Sequence, residues 1–230
     1  MRYIYFVVFM SIIFSGCRNH TNPSKVEDDS AFASNITKAM ISEWEWLNEP
    51  ESFAIVDSSL SVKVKKGSDF FNNPEDGSVA ASAPFLYQKI QGDFVAKTFI
   101  QPDFSSQWNA VSLMVYLDSL NWIKFAFENS DATGPGIVTV VTKGKSDDAN
   151  GVILNEHKQV WLAIARKNNN YSMHWSLDGD NYNMARLTSM PEQNEINIGV
   201  ETQSPVGDSA THTIHFFSLE SRTVQDLRKL

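Results

Sequence analysis

Between residues 53 and 221 the chain is written almost entirely with a period of two. Short runs rich in Val, Ile, Phe and Tyr alternate with turn-forming residues. The pattern is that of strands, because successive side chains on an extended backbone point to opposite faces. The runs are FAIVD (53–57), SLSVKVK (59–65), PFLYQKI (84–90), FVAKTFIQ (94–101), AVSLMVYLD (110–118), NWIKFAFEN (121–129) and GIVTVVTK (136–143). They continue with GVIL (151–154), QVWLAIARK (159–167), YSMHWSLD (171–178), YNMARLT (182–188), EINIGVETQ (195–203) and HTIHFFSLES (212–221). Asn73-Pro74, Asp76-Gly77, Gly134-Pro135-Gly136, Asn150-Gly151 and Asp178-Gly179 supply turn chemistry between them. Helical periodicity is confined to residues 36–47 and a short stretch at 223–229. About a dozen strands without intervening helices exclude a βαβ architecture. They predict an all-β sandwich of two antiparallel sheets with minor short helices.

The N-terminus reads differently. Arg2 precedes an apolar run, YIYFVVFMSIIF (3–14), too short for a bilayer span but suited to a signal-peptide core. Phe14-Ser15-Gly16-Cys17 resembles a bacterial lipobox, and Cys17 is the only cysteine of the chain. The sequence therefore predicts a signal peptide over 1–16, lipidation at Cys17 with a polar tether over 17–42, and one domain over 43–230. A lipid anchor makes the membrane a partner and implies a bacterial cell envelope, extracytoplasmic and either periplasmic or surface-exposed. The net charge of −8, with no basic cluster, argues against nucleic acid.

One strand draws attention. In NWIKFAFE (121–128), Ile123, Phe125 and Phe127 share a core face, and Trp122, Lys124, Ala126 and Glu128 share the other. On the preceding strand Tyr116 and Asp118 have the matching parity, and near the C-terminus EINIGVETQ buries Ile196, Ile198 and Val200 while presenting Asn197, Glu201 and Gln203. An aromatic beside short polar and charged side chains is the composition of a sugar site, stacking on the ring face and hydrogen bonding to hydroxyls. The other reading is a Trp buried under a loop. In either case Lys124 and Glu128, about 13 Å apart along one strand, must find partners on other segments, such as Asp118 or Glu201.

Other chemistry is thinly signalled. Gly134-Pro135-Gly136 precedes a strand and is no phosphate loop, and no Gly-x-Ser-x-Gly elbow occurs. His212 and His215 are three apart on a strand and fall on opposite faces, a poor metal pair; His174 is expected to face solvent. No cofactor is called for. Asp147-Asp148 beside Asn150-Gly151 form an acidic loop that offers oxygens to a structural Ca²⁺.

Finally, WEWLNEP (44–50), SDFF (68–71), APFLYQKIQGDF (83–94), SLMVYLDSLNWIKFAFE (112–128), VVTKGKSDD (140–148) and IHFFSLESRTV (214–224) resemble the domain-of-unknown-function 1349 family, placed in the concanavalin A-like lectin/glucanase superfamily. The resemblance implies a jelly-roll β-sandwich whose curved sheet holds carbohydrate in related modules. Where that family often has Ser-Asp-Trp, this chain has Ser146-Asp147-Asp148. A glycosidase needs two apposed carboxyls. The laminarinase-like Glu-x-Asp-x-x-Glu run is absent, which leaves Glu128 and Glu201 as the candidate pair. The expectation is non-catalytic binding with a glycan as the leading ligand. A carbohydrate-active enzyme and a module docking another cell-envelope protein are the alternatives.

Overall fold

The computed structural model describes Met1 and residues 35–230. The expected signal peptide, Cys17 and most of the tether lie outside the described residues. A five-residue helix, α1 (Lys38–Ser42), is capped by the Thr37 hydroxyl, which accepts from the Met40 amide. Strands β1 (Glu45–Leu47), β2 (Ser52–Val56), β3 (Ser59–Lys65), β4 (Phe70–Asn72), β5 (Val79–Ala81) and β6 (Phe85–Gln91) follow. The middle of the chain forms β7 (Phe94–Gln101), β8 (Ala110–Asp118), β9 (Asn121–Ser130), β10 (Gly134–Lys143) and β11 (Lys145–Ile153). It closes with β12 (Val160–Lys167), β13 (Asn170–Ser176), β14 (Asn183–Ser189), β15 (Glu195–Gln203) and β16 (Ser209–Glu220).

Two seven-stranded antiparallel sheets carry the fold. The first has the order β1-β6-β15-β8-β9-β10-β11 and the second β14-β13-β12-β7-β16-β3-β2. Their facing sides interdigitate as the main core, where Leu113, Ile123, Phe125 and Phe127 of the first sheet meet Ile100, Leu162, Ile164 and Phe217 of the second. Arg186 of β14 closes one edge: it donates to the Thr139 hydroxyl and pairs with Asp147 at 2.8 Å. Trp44 packs edge-on to Phe217 at the opposite end of the sandwich. Burying this alternating set is what fixes the register, because a one-residue slip would expose it.

The first sheet has a second, smaller core on its other face. There Trp122, Met114, Ala126, Val138 and Val140 lie under the two-stranded ribbon β4-β5, whose Phe70 meets Trp122 edge-on at 5.9 Å between centroids. Asn72 locks the ribbon down: its amide donates to the Ser146 hydroxyl and its side chain donates to the Gly144 carbonyl. So the second of the two readings of NWIKFAFE holds. The parity is as expected, but this face is covered, and Trp122 is 1% exposed.

Four local expectations change. The helix expected over 36–47 is only Lys38–Ser42, and its end extends into β1. Residues 223–229 form no helix but run over the outside of the second sheet, where Val224 and Leu227 pack on Val95 and Ala165. That cover buries His174, whose Nε2 lies 3.1 Å from the Leu227 carbonyl oxygen, so it does not face solvent. Asn150-Gly151 is no turn; it lies inside β11, as do Asp147 and Asp148.

A buried Trp is worth several kcal/mol. Trp122→Ala is expected to destabilise the protein by about 3–5 kcal/mol, read as a large drop in the midpoint of denaturant unfolding.

Candidate functional site

The register lays the residues on the covered face of the first sheet in rows. One row runs Tyr87, Gly199, Met114, Lys124, Val140, Asp148. The next runs Phe85, Glu201, Ser112, Ala126, Val138, Asn150. A third holds Gln203, Ala110, Glu128 and Gly136. Ala110, Ser112, Ala126 and Gly136 are small, so the second core thins out around Lys124 and Glu128. A cavity of about 360 Å³ opens there, lined by Asp69, Phe71, Asn73, Trp108, Lys124, Glu128, Asp131, Val138, Val140, Asp148 and Gln203.

Lys124 is the centre of the arrangement. Its ammonium is buried and donates to Gln203 Oε1 (2.7 Å), the Phe70 carbonyl (2.9 Å) and Asp69 Oδ1 (3.3 Å). Burial alone would lower its pKa, but the carboxyls of Asp69, Glu201 and Glu128 outweigh it and hold the group above its ordinary value. The two glutamates respond in the opposite sense. Burial pushes Glu128 up to about 7 against the pull of Lys124. Glu201, fully buried beside its cross-strand neighbour Ser112, is also pushed up to about 7 by burial, with Lys124 opposing. Ser112 lies outside hydrogen-bonding geometry, and both Glu201 oxygens lack a hydrogen-bond partner. The three groups titrate as a set.

Trp108 forms a partly exposed wall of the cavity. It sits in the β7–β8 loop with φ of +60°, an uncommon backbone for a bulky residue. Two bonds hold that conformation: its amide donates to the Asn129 carbonyl at 2.7 Å, and its carbonyl accepts from Gln203 Nε2 at 2.8 Å. Phe71, from the ribbon, is the second aromatic of the cavity.

The sequence-expected residues therefore separate. Lys124, Glu128 and Gln203 come together in the cavity, joined by Asp148. Trp122, the expected stacking platform, is sealed under Phe70. Tyr116 sits beside it against Phe70 and Phe85, and Asn197 pairs with Tyr116 in register; neither lines the cavity. Asp118 is a turn residue, its carboxylate accepting from the Leu120 amide and the Asn121 side chain. Lys124 does not pair with Asp118 or, directly, with Glu201; its partner Asp69 stands just before β4. Glu128 and Glu201 are held by strands on either side of β8 and one row apart, about 12 Å between α-carbons by strand spacing. Only Glu128 reaches the cavity. Asp147 and Asp148, consecutive on one strand, point to opposite faces and cannot share a Ca²⁺. Among the described residues no three His, Cys, Asp or Glu side chains converge to hold a metal. Trp108, Phe71, Asp69 and Asp131 were not legible as site residues, because each sits in a loop or short ribbon with no periodic signal.

Comparison with known proteins agrees on the fold. A family model described as a protein of unknown function (DUF1349) matches residues 46–222. A curated Saccharomyces cerevisiae relative, "Regulation of enolase protein 1", is 24% identical over 165 residues, 72% of this chain and 83% of its own length. The crystal structure of a functionally unknown protein from Saccharomyces cerevisiae superposes with a TM-score of 0.75 at 23% identity, covering 80% of this chain and 99% of that one. The carbohydrate-binding module CBM66 from Bacillus subtilis matches with a TM-score of 0.51 at 13% identity, covering 82% and 98%. At these identities the structural likenesses establish a shared sandwich fold. The expected placement in a bacterial cell envelope is overturned by the yeast origin of the curated relative and of the first structure.

The charge cluster makes a signed prediction. A carboxyl whose pKa rises on folding stabilises the protein below its unfolded value, near 4.5, and that stability is lost as pH rises through about 7. Glu201→Gln should therefore match the wild type at pH 4, below that unfolded value. At pH 8 it should be the more stable by about 2–3 kcal/mol, measured by urea unfolding at both pH values.

Proposed function

We propose, on the premise that this chain belongs to the DUF1349 family of proteins of unknown function, that it is a non-catalytic binding domain whose ligand class is carbohydrate. The observation that carries the proposal is the cavity beside Trp108. A partly exposed indole and Phe71 offer apolar faces to a ring, and the carboxyls of Glu128, Asp131 and Asp148 line the same volume. A volume of about 360 Å³ falls in the range of small-molecule sites and suits one or two sugar rings. The fold likeness to CBM66, a carbohydrate-binding module, is compatible with this reading and does not by itself establish it.

Catalysis by Glu128 with Glu201 is not part of the proposal. Glu201 does not line the cavity, and a glycosidase needs both carboxyls on the sugar.

The test is a glycan array probed with the wild-type domain and with Trp108→Ala. The wild type is expected to retain some glycan. The variant should lose about tenfold or more in affinity while it still unfolds in one cooperative transition above the assay temperature. Failure of the wild type to hold any glycan would overturn the proposal.

A further inference from the structure

The cavity's hydrogen-bonding capacity is unequally spent. Lys124, the one cation among the described residues lining it, has three N–H donors, and all three are taken by Asp69, the Phe70 carbonyl and Gln203. Asp69 is occupied by that same ammonium. Among the described residues lining the cavity, no cationic donor is left for a ligand.

The carboxylates are in the opposite state. Glu128 is more than nine-tenths buried, lines the cavity, and makes no side-chain hydrogen bond. Asp131 and Asp148 stand exposed at the rim, and neither is engaged in an ion pair. Both are close enough to Glu128 to disfavour its ionisation. The Glu128 carboxyl has no protein donor and opens on the cavity, where an arriving donor would meet it. The side chains still open are carboxyls, and they surround a volume walled by two aromatic rings; an arriving cation favours the ionised, accepting form of Glu128. A metal ion is the wrong donor, because no three of these side chains converge on a single point. An ammonium carried on a ring meets both halves of the lining, with its N–H donors on the carboxylates and its ring on Trp108 and Phe71.

We infer that the ligand of this cavity is an amino sugar with a free, protonated amine, which Glu128, Asp131 and Asp148 receive while Trp108 carries the ring. The inference rests on the sugar-binding reading above and adds the charge of the ligand to it.

Three disaccharides with one β-1,4 skeleton and different C2 substituents test it. These are the glucosamine dimer, its N,N′-diacetylated form and cellobiose, titrated calorimetrically into the full chain at low ionic strength, with spermidine as a cation that is not a sugar. The glucosamine dimer is expected to bind about tenfold or more tighter than the other two sugars, and to weaken with added salt. Asp131→Asn with Asp148→Asn, both at exposed positions, should remove most of that preference while the fold is kept, as shown by an unchanged unfolding midpoint. Equal affinity for the three disaccharides would overturn the amine and leave sugar binding standing. Binding of spermidine without any of the sugars would overturn the sugar reading. Binding of none of the four would overturn both.

Discussion

The Lys124 ammonium is the charge on which the outer layer of this protein depends. An ammonium taken out of water on a sheet face is expensive unless its donors and its charge are both met. Here the sheet supplies only part of what it needs, through Gln203. The rest comes from the segment that enters the β4-β5 ribbon, through the Asp69 carboxylate and the Phe70 carbonyl. Satisfying Lys124 therefore means laying that ribbon across the sheet. Once it is there, Phe70 meets Trp122 and a second apolar core closes over what would otherwise be a solvated face.

The same arrangement leaves the cavity. The ribbon covers the rows around Trp122 and Tyr116, but beside Glu128 the outward residues are Ala110 and Gly136, too small to fill the space up to the loops. Gln203 links the two regions. Its carbonyl oxygen accepts from Lys124 and its amide nitrogen donates to the Trp108 carbonyl, so the residue that helps satisfy the buried charge also holds the aromatic wall. The positive φ of Trp108 is sustained by these contacts, as expected of a strained residue at a binding surface.

The sandwich itself says little about function, because this architecture hosts many roles. Local chemistry is more specific: a carboxyl open to the cavity without a protein donor, a cation with no donor to spare, and two aromatic side chains stand around one volume. Family membership places the chain among proteins whose function is unknown, and the yeast relatives remove the bacterial envelope as its expected setting.

Much of the fold was legible in the sequence. The bounds of β3, β7, β8 and β15 coincide with runs read from period-two patterning, because each strand's inward side chains face a continuous core and one-sided burial writes alternation into the text. The division of NWIKFAFE into two faces, and the impossibility of a direct Lys124–Glu128 pair, followed from strand geometry. The fate of the second face did not follow. A strand covered on both sides by different layers has the same local pattern as one that is half-solvated with a few aromatics, and the covering residues, Asp69 and Phe70, are more than fifty positions away from Lys124. Trp108 and Phe71 lie in a loop and a three-residue strand where no periodicity exists to read. By itself the sequence determined the two sheets and which residues share each face, since alternation is a local property of the backbone. Only the tertiary structure decided which charges are buried and which residues line the cavity, because desolvation and partner geometry depend on segments that meet in space and are distant along the chain.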